Sequence, residues 1–146
     1  MLTLEPIPLK ADKTKEMYAS EDCQNLLKMW EEFYPTIGYH FPWVGYVVKE
    51  DDRIVGSCAF TGPPKDNKVE VSYWTFKEHE GKGISSWSCK ELVSLAKKQN
   101  PNIKVFAKTA PEKNASTAIL EKNGFVFSGI VQDHEIGDAW EWFYKD

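Results

Sequence analysis

The fold of this chain is decided by one stretch, Val69-Glu-Val-Ser-Tyr-Trp-Thr-Phe-Lys-Glu-His-Glu-Gly-Lys-Gly-Ile-Ser-Ser86. Its first half alternates apolar and polar residues, which predicts a strand over Val69–Phe76. Gly81 and Gly83 follow in a loop, and a helical apolar period then predicts a helix from Ile84 to about Gln99. Glycines let backbone N–H groups approach a ligand, and a helix N-terminus adds unpaired donors at the positive end of its dipole. The strand–loop–helix unit therefore predicts a cradle for an anion such as a phosphate.

The other elements follow from the same kind of pattern. Apolar residues at three- and four-residue steps predict an amphipathic helix over Ser20–Phe33 that ends near Pro35, with Ser20 as its N-cap. A short helix is predicted to open at Pro111 and run through Lys122. The remaining predicted strands are Leu2–Leu9, Val44–Lys49, Ile54–Phe60, Ile103–Thr109, Phe125–Val131 and Ala139–Tyr144. This order predicts an α/β (α+β) fold with a mixed, mostly antiparallel sheet flanked by helices, in one domain over residues 1–146.

Composition and charge exclude several classes of protein. The 146 residues carry 18 Lys and Arg against 22 Asp and Glu, a net charge of −4 that disfavours a nucleic-acid partner. The three cysteines and three histidines are widely spaced, so no metal site and no disulfide framework is expected. No apolar run is long enough for a membrane span and no secretion signal is visible, so no membrane partner is expected. A cytoplasmic location is therefore the expectation.

A second informative segment is Pro111-Glu-Lys-Asn-Ala-Ser-Thr-Ala-Ile-Leu-Glu-Lys-Asn-Gly-Phe125. Together the two segments resemble the GNAT superfamily of acetyl-CoA-dependent N-acetyltransferases, in the branch of ribosomal-protein and aminoglycoside N-acetyltransferases. The first resembles the motif Arg/Gln-x-x-Gly-x-Gly/Ala, whose amides bind the CoA pyrophosphate, and the second resembles the stretch that lies along the pantetheine. The resemblance is good over residues 44–145 and rests on element order alone over residues 1–43.

The resemblance implies that acetyl-CoA is the co-substrate and that no metal is needed. Glu70 is the candidate base that takes a proton from the amine through water. The backbone N–H of Phe76 or Thr75 is the candidate donor to the thioester oxygen. Asn114 either contacts the co-substrate or serves only as a helix N-cap. The residues expected to bind the co-substrate are Thr75, Phe76, Gly81, Lys82, Gly83, Ile84, Ser85, Ser86 and Asn114.

Three positions depart from the family pattern. Glu80 stands where the motif has Arg or Gln, and Ser85 stands where it has Gly or Ala. Many members have a tyrosine that protonates the leaving CoA thiolate, at the position of Leu120 in this chain. The proton must then come from Ser116, from another group or from water. His79, between the strand and the glycines, is expected to be an exposed loop residue.

The acceptor is less defined by the sequence. The resemblance implies a primary amine of a small molecule or a protein, and the aromatic, acidic segments Trp30–Pro35 and Tyr39–Trp43 are either an acceptor pocket or core. Trp140, Trp142 and Tyr144 alternate on a strand and predict sheet packing, with a homodimer contact as the alternative. Two other functions stay open: a GNAT-fold module that binds acetyl-CoA or another ligand without turnover, and a protein–protein adaptor.

Overall fold

Seven strands form one sheet in the order β1-β2-β3-β4-β5-β7-β6, and three α-helices accompany it, in a computed structural model that describes residues 1–146. The strands are β1 Leu2–Pro6, β2 Gly45–Glu50, β3 Arg53–Phe60, β4 Lys68–Thr75, β5 Lys104–Thr109, β6 Phe125–Asp133 and β7 Gly137–Tyr144. The helices are α1 Glu21–Ile37, α2 Ile84–Gln99 and α3 Ala115–Lys122. The predicted order of elements and the α/β class are confirmed. None of the helices is both long and apolar enough to cross a bilayer.

The sheet is mixed because one neighbouring pair is parallel. Strands β4 and β5 run parallel and pair over Lys68–Glu70 only, whereas the other neighbouring pairs are antiparallel. Beyond Glu70 the edge of β4 that faces β5 has no strand partner. The sheet therefore opens between β4 and β5, next to the loop that contains the two glycines.

The helices lie on both faces of the sheet. Residues paired across strands share a face, so Gly45, its partner Ala59, and Ser72 beyond it lie on one side. Helix α1 covers that side, because a Cβ on Gly45 would come within 2.6 Å of the Trp30 ring. Tyr73 points to the other side, where its hydroxyl reaches α3. Helix α2 also lies there, against β3 and β4.

Helix α1 is longer than its sequence predicts. Ser20 is the N-cap as expected, and its hydroxyl accepts a hydrogen bond of 3.1 Å from the Cys23 N–H. Pro35 does not end the helix, which continues to Ile37. A proline in the last turn removes one backbone hydrogen bond, and the turn is still closed by the Gly38 N–H, which donates to the Tyr34 carbonyl at 2.7 Å.

Helix α3 starts later than the predicted opening at Pro111. Asn114 is its N-cap, with the Asn114 side chain accepting from the Thr117 N–H at 3.2 Å and the Thr117 hydroxyl accepting from the Asn114 N–H at 2.9 Å. This reciprocal cap fixes the first turn at Ala115. The prediction was wrong because proline at a first helical position competes with a stronger capping signal three residues later.

Candidate active site

A cleft of about 510 Å³ lies between the end of β4, the glycine loop, the start of α2 and the outer side of α3; we call it the β4–α3 cleft. Its lining residues are Tyr73, Trp74, Thr75, Glu80, Gly81, Gly83, Ile84, Ser85, Ser86, Ala115, Ser116, Ala118, Ile119 and Lys122. The two sequence segments that carried the resemblance are therefore brought together around one space. Phe76, Lys82 and Asn114, which were expected to bind the co-substrate, do not line it.

The glycine loop leaves backbone exposed to this cleft. Gly81 and Gly83 have φ values of 81° and 76°, a conformation that L side chains rarely adopt. A Cβ at either position would meet no heavy atom within 4 Å, so the space beside the backbone is open. Gly83 is the N-cap of α2 and offers no side chain to the first amides of the helix. These amides are therefore left available to an anion.

The end of β4 is tied to the start of α2 by two hydroxyl groups. The Thr75 Oγ1 and Ser85 Oγ lie 2.5 Å apart and share a hydrogen bond. This contact fixes the strand end relative to the first turn of the helix. It also gives Ser85 a structural role at the position where the family motif has glycine or alanine.

Only one of the two amides expected to hold the thioester oxygen is available. The Phe76 N–H donates to the Val55 carbonyl at 2.9 Å and is therefore used by the sheet. Phe76 is also buried, with 1% of its surface exposed, so its assignment to the co-substrate site is corrected. Successive N–H groups of a strand point to opposite edges, so the Thr75 N–H points to the side where β4 and β5 have separated.

Helix α3 presents Ser116 to the cleft from the opposite wall. The Ser116 carbonyl accepts a hydrogen bond of 3.0 Å from the Tyr73 hydroxyl, and the Ser116 hydroxyl makes no hydrogen bond within the protein. Leu120 is fully buried and points away from the cleft. Asn114 uses its side-chain oxygen in the helix cap. Ser116 is thus the free hydroxyl on this wall.

Glu70 lies on the other face of β4, toward α1. It is half-buried, and its carboxylate accepts a hydrogen bond of 3.0 Å from the Thr61 hydroxyl. Burial raises the pKa of Glu70 above its ordinary value, while the Lys108 ammonium and the Thr61 hydrogen bond act in the opposite direction. The carboxylates of Asp133 and Glu141 raise it further. Glu70 is therefore a more basic carboxylate than an exposed one.

The two charged residues beside the glycines differ in position. Glu80 lines the cleft, and it forms no ion pair with Lys82 or Lys77. Lys82 is exposed and does not line the cleft, so its contact with the co-substrate stays a prediction. The cation that does line it is Lys122, at the end of α3.

His79 corrects an expectation. Only 5% of its surface is exposed, and neither ring nitrogen has a hydrogen-bond partner. Its backbone N–H donates to the Phe76 carbonyl at 2.8 Å, in the tight turn of Lys77–His79 that follows β4. This turn folds the ring inward, which the polar sequence around it does not indicate.

A second cleft of about 870 Å³ continues from the first along α2, toward the end of β7. It shares Gly83, Ser86 and Lys122 with the β4–α3 cleft. Lys90 also lines it and is exposed without an ion-pair partner. An elongated, anionic ligand can therefore extend from one cleft into the other.

Comparison with known proteins decides the family. A family model for the acetyltransferase (GNAT) domain matches residues 3–126. The chain belongs to the GNAT acetyltransferase family. The resemblance seen in the two sequence segments is confirmed.

Relatives and solved structures agree with this membership. The chain is 29% identical over 90 residues to the uncharacterized N-acetyltransferase p20 of Bacillus licheniformis, which is 61% of this chain and 51% of that protein. It is 22% identical over 98 residues to the ribosomal-protein-serine acetyltransferase of Escherichia coli strain K12, 66% of this chain and 55% of that protein. The chain thus spans little more than half the length of these curated relatives. RimL, a ribosomal L7/L12 alpha-N-protein acetyltransferase in complex with coenzyme A, shares its fold with a TM-score of 0.64 and 19% identity, over 84% of this chain and 71% of that one.

Several residues that line the β4–α3 cleft of this GNAT domain were not predicted from the sequence. They are Tyr73, Trp74, Ala115, Ala118, Ile119 and Lys122. Helical spacing could have found four of them, because Ala115, Ala118, Ile119 and Lys122 are separated by three- and four-residue steps on the outer face of α3. Tyr73 and Trp74 carry no such signal, because alternation cannot say where two strands separate.

Proposed function

We propose that this GNAT domain transfers the acetyl group of acetyl-CoA to a primary amine. The observation that carries the proposal is the β4–α3 cleft, in which the exposed amides of Gly81–Ser86 and the free edge of β4 face the same space. Backbone donors at a helix N-terminus suit the CoA pyrophosphate. The strand edge suits the amide groups of pantetheine, as an added strand would be held.

Within this proposal the cofactor end of the site is built from backbone. Gly81, Gly83, Ile84, Ser85 and Ser86 hold the pyrophosphate, and the open space beside the two glycines lets it approach closely. The nucleotide end of the co-substrate extends into the second cleft, where Lys90 and Lys122 are unpaired cations.

The reaction is proposed to occur where β4 and β5 separate, because this gap joins the two faces of the sheet. The acceptor approaches from the Glu70 face, and acetyl-CoA from the Tyr73 face. Nitrogen attacks the acetyl carbonyl, a C–N bond forms, and the C–S bond breaks with its electron pair on sulfur. The Thr75 N–H stabilises the developing oxyanion. The Ser116 hydroxyl donates a hydrogen bond to the departing sulfur, whose final proton comes from water.

Glu70 receives the proton that the amine loses. It precedes Thr75 by five residues, which is about 16 Å of extended strand. The proton therefore cannot pass directly from the amine to Glu70 and must pass through ordered water. The raised pKa of Glu70 makes it a better acceptor at neutral pH than an exposed carboxylate.

The acceptor is a primary amine of a small molecule or of a protein. The ribosomal-protein acetyltransferases among the relatives support a protein N-terminus as one member of this class. Three carboxylates, those of Glu70, Asp133 and Glu141, face Lys108 on the acceptor side of the sheet, which favours a cationic amine.

The test is thiol release from acetyl-CoA, measured with a thiol-reactive dye across a panel of amines. The panel contains polyamines, aminoglycosides, free amino acids and peptides with a free N-terminal serine. We expect release that depends on one class of amine, with an acetylated product of matching mass. Binding of acetyl-CoA without release by any amine would instead support the alternative, a ligand-binding GNAT module, which is favoured by Glu80 in the cleft and by the absence of a tyrosine at Leu120.

A further inference from the structure

Tyr73 is the only tyrosine that lines the β4–α3 cleft. Its hydroxyl donates to the carbonyl of Ser116 at 3.0 Å, and this bond joins residues that are 43 positions apart. It crosses from β4 to the first turn of α3, beside the space where the thioester would lie. The steps of the proposed reaction leave it without a role.

Helix α3 depends on such contacts for its position. It has eight residues, and helices of this length are marginal on their own. The cap between Asn114 and Thr117 fixes where the helix starts but not where the helix lies relative to β4. The Tyr73 hydroxyl makes the side-chain hydrogen bond that connects this helix to β4.

We propose that Tyr73 is a positioning residue, which holds the backbone of Ser116 so that the Ser116 hydroxyl faces the thioester sulfur. The proposal rests on the acetyltransferase function proposed above. The carbonyl that Tyr73 holds belongs to the same residue whose hydroxyl is free in the cleft. A shift of about 1 Å in that residue would misplace the hydroxyl, and misplacements of this size can reduce a rate up to about 100-fold.

Tyr73 does not act as the proton donor itself. Its proton is directed to the Ser116 carbonyl. Burial also raises the pKa of Tyr73 far above its ordinary value, so the hydroxyl stays protonated across the working pH range. It therefore remains a constant donor to Ser116.

The first experiment compares Tyr73→Phe with Tyr46→Phe as a matched control. Tyr46 is buried where Tyr73 is half-buried, and like Tyr73 it donates to a backbone carbonyl, that of Pro42, at 2.6 Å, but it lines neither cleft. Both variants lose one hydroxyl from the same sheet. We expect Tyr73→Phe to lower kcat about tenfold, with the KM for acetyl-CoA changed less than twofold. Tyr46→Phe should leave both constants unchanged.

The second experiment asks whether Tyr73 acts through Ser116. We expect Ser116→Ala to lower kcat more than Tyr73→Phe does, and the double variant to equal Ser116→Ala, because the positioned hydroxyl is already gone. The proposal would be overturned if Tyr73→Phe lowered kcat by the same factor in the Ser116→Ala background as in the wild type. It would also be overturned if Tyr73→Phe raised KM and left kcat unchanged. If the wild type is active and Tyr73→Phe has the same kcat, this inference is overturned while the proposed function stands. No amine-dependent thiol release by the wild type overturns the proposed function, and this inference with it.

Discussion

Gly83 and Gly137 have nearly the same backbone conformation, with φ values of 76° and 78°. A Cβ on either glycine would meet no heavy atom within 4 Å. Gly83 lines the β4–α3 cleft, whereas Gly137 begins β7 after the turn from β6. The two positions therefore differ in what they face and not in the strain that a side chain would impose.

Gly83→Val should abolish detectable CoA binding while the protein stays folded. The valine side chain would fill the open space from which the pyrophosphate approaches the amides of α2. Gly137→Val is the control, because both variants pay a similar cost of about 1–2 kcal/mol for a left-handed L-residue. Calorimetric titration with CoA and thermal unfolding of both proteins give the result. Wild-type affinity in a folded Gly83→Val protein would place the phosphate cradle elsewhere.

Glu80→Gln should tighten binding of acetyl-CoA by about two- to fivefold at low salt. Glu80 lines the cleft without a cationic partner, so its carboxylate would repel the pyrophosphate in the proposed binding mode. Salt screens such a repulsion, and the gain should shrink as ionic strength rises. The control is Glu121→Gln, an exposed carboxylate on α3 that does not line the cleft. Weaker binding by the Glu80 variant would show instead that this carboxylate holds the loop open.

The strand–loop–helix unit could be predicted from sequence because its signals are local. The alternation of apolar and polar residues predicts β4, and the two glycines predict the loop before α2. The position of the cleft could not be predicted so fully, because it depends on where β4 leaves β5. The pairing of β4 with β5 ends at Glu70, whereas β4 stays bonded to β3 as far as the Phe76 N–H, which donates to the Val55 carbonyl. No periodicity within one strand contains this information.

The side-chain roles were harder to predict than the elements. Asn114 was expected either to bind the co-substrate or to cap a helix, and the structure has it as a cap. His79 was expected to be exposed, yet it is buried by a tight turn. The bond between Tyr73 and Ser116 joins two segments that are distant in the chain. Each of these outcomes depends on tertiary packing, which overrides local propensity.

Glu70→Gln should lower the acetyl-transfer rate at neutral pH about 10- to 100-fold and recover part of it at high pH, where more of the amine is already unprotonated. Glutamine keeps an acceptor for the Thr61 hydroxyl, so the local hydrogen bond survives. The measurement is kcat/KM against pH for both proteins. A profile identical to that of the wild type would leave Glu70 without a role as base.

Stability measurements separate a chemical effect of that variant from a folding defect. The pKa of Glu70 is raised in the folded protein. Below its ordinary pKa the carboxyl is protonated in both the folded and the unfolded protein, so its ionisation does not change the free energy of unfolding. Above the folded pKa it is ionised in both, and the folded state bears the cost of burying the charge. Glu70→Gln should therefore gain thermal stability relative to the wild type as pH rises from 4 to 7.

Lys108→Met should move the acid limb of the kcat/KM profile to higher pH. Lys108 is the main group that lowers the pKa of Glu70, and it also lies 3.7 Å from a carboxylate oxygen of Asp133. Without it, Glu70 faces the carboxylates of Asp133 and Glu141 with no compensating cation, which favours its protonated form. A base must be unprotonated to work, so the rate near neutral pH should fall as the limb moves upward.

Lys104→Met is the matched control for this shift, and the Glu70→Gln background shows whether the limb belongs to Glu70. Lys104 lies on the same strand and the same face as Lys108, but it is not among the groups that shift the pKa of Glu70. Its loss changes net charge equally and should leave the limb in place. In the Glu70→Gln background, Lys108→Met has no carboxyl left to shift and should not move the profile. An upward shift that persists in that background would assign the limb to another group and remove the link between Lys108 and the proposed base.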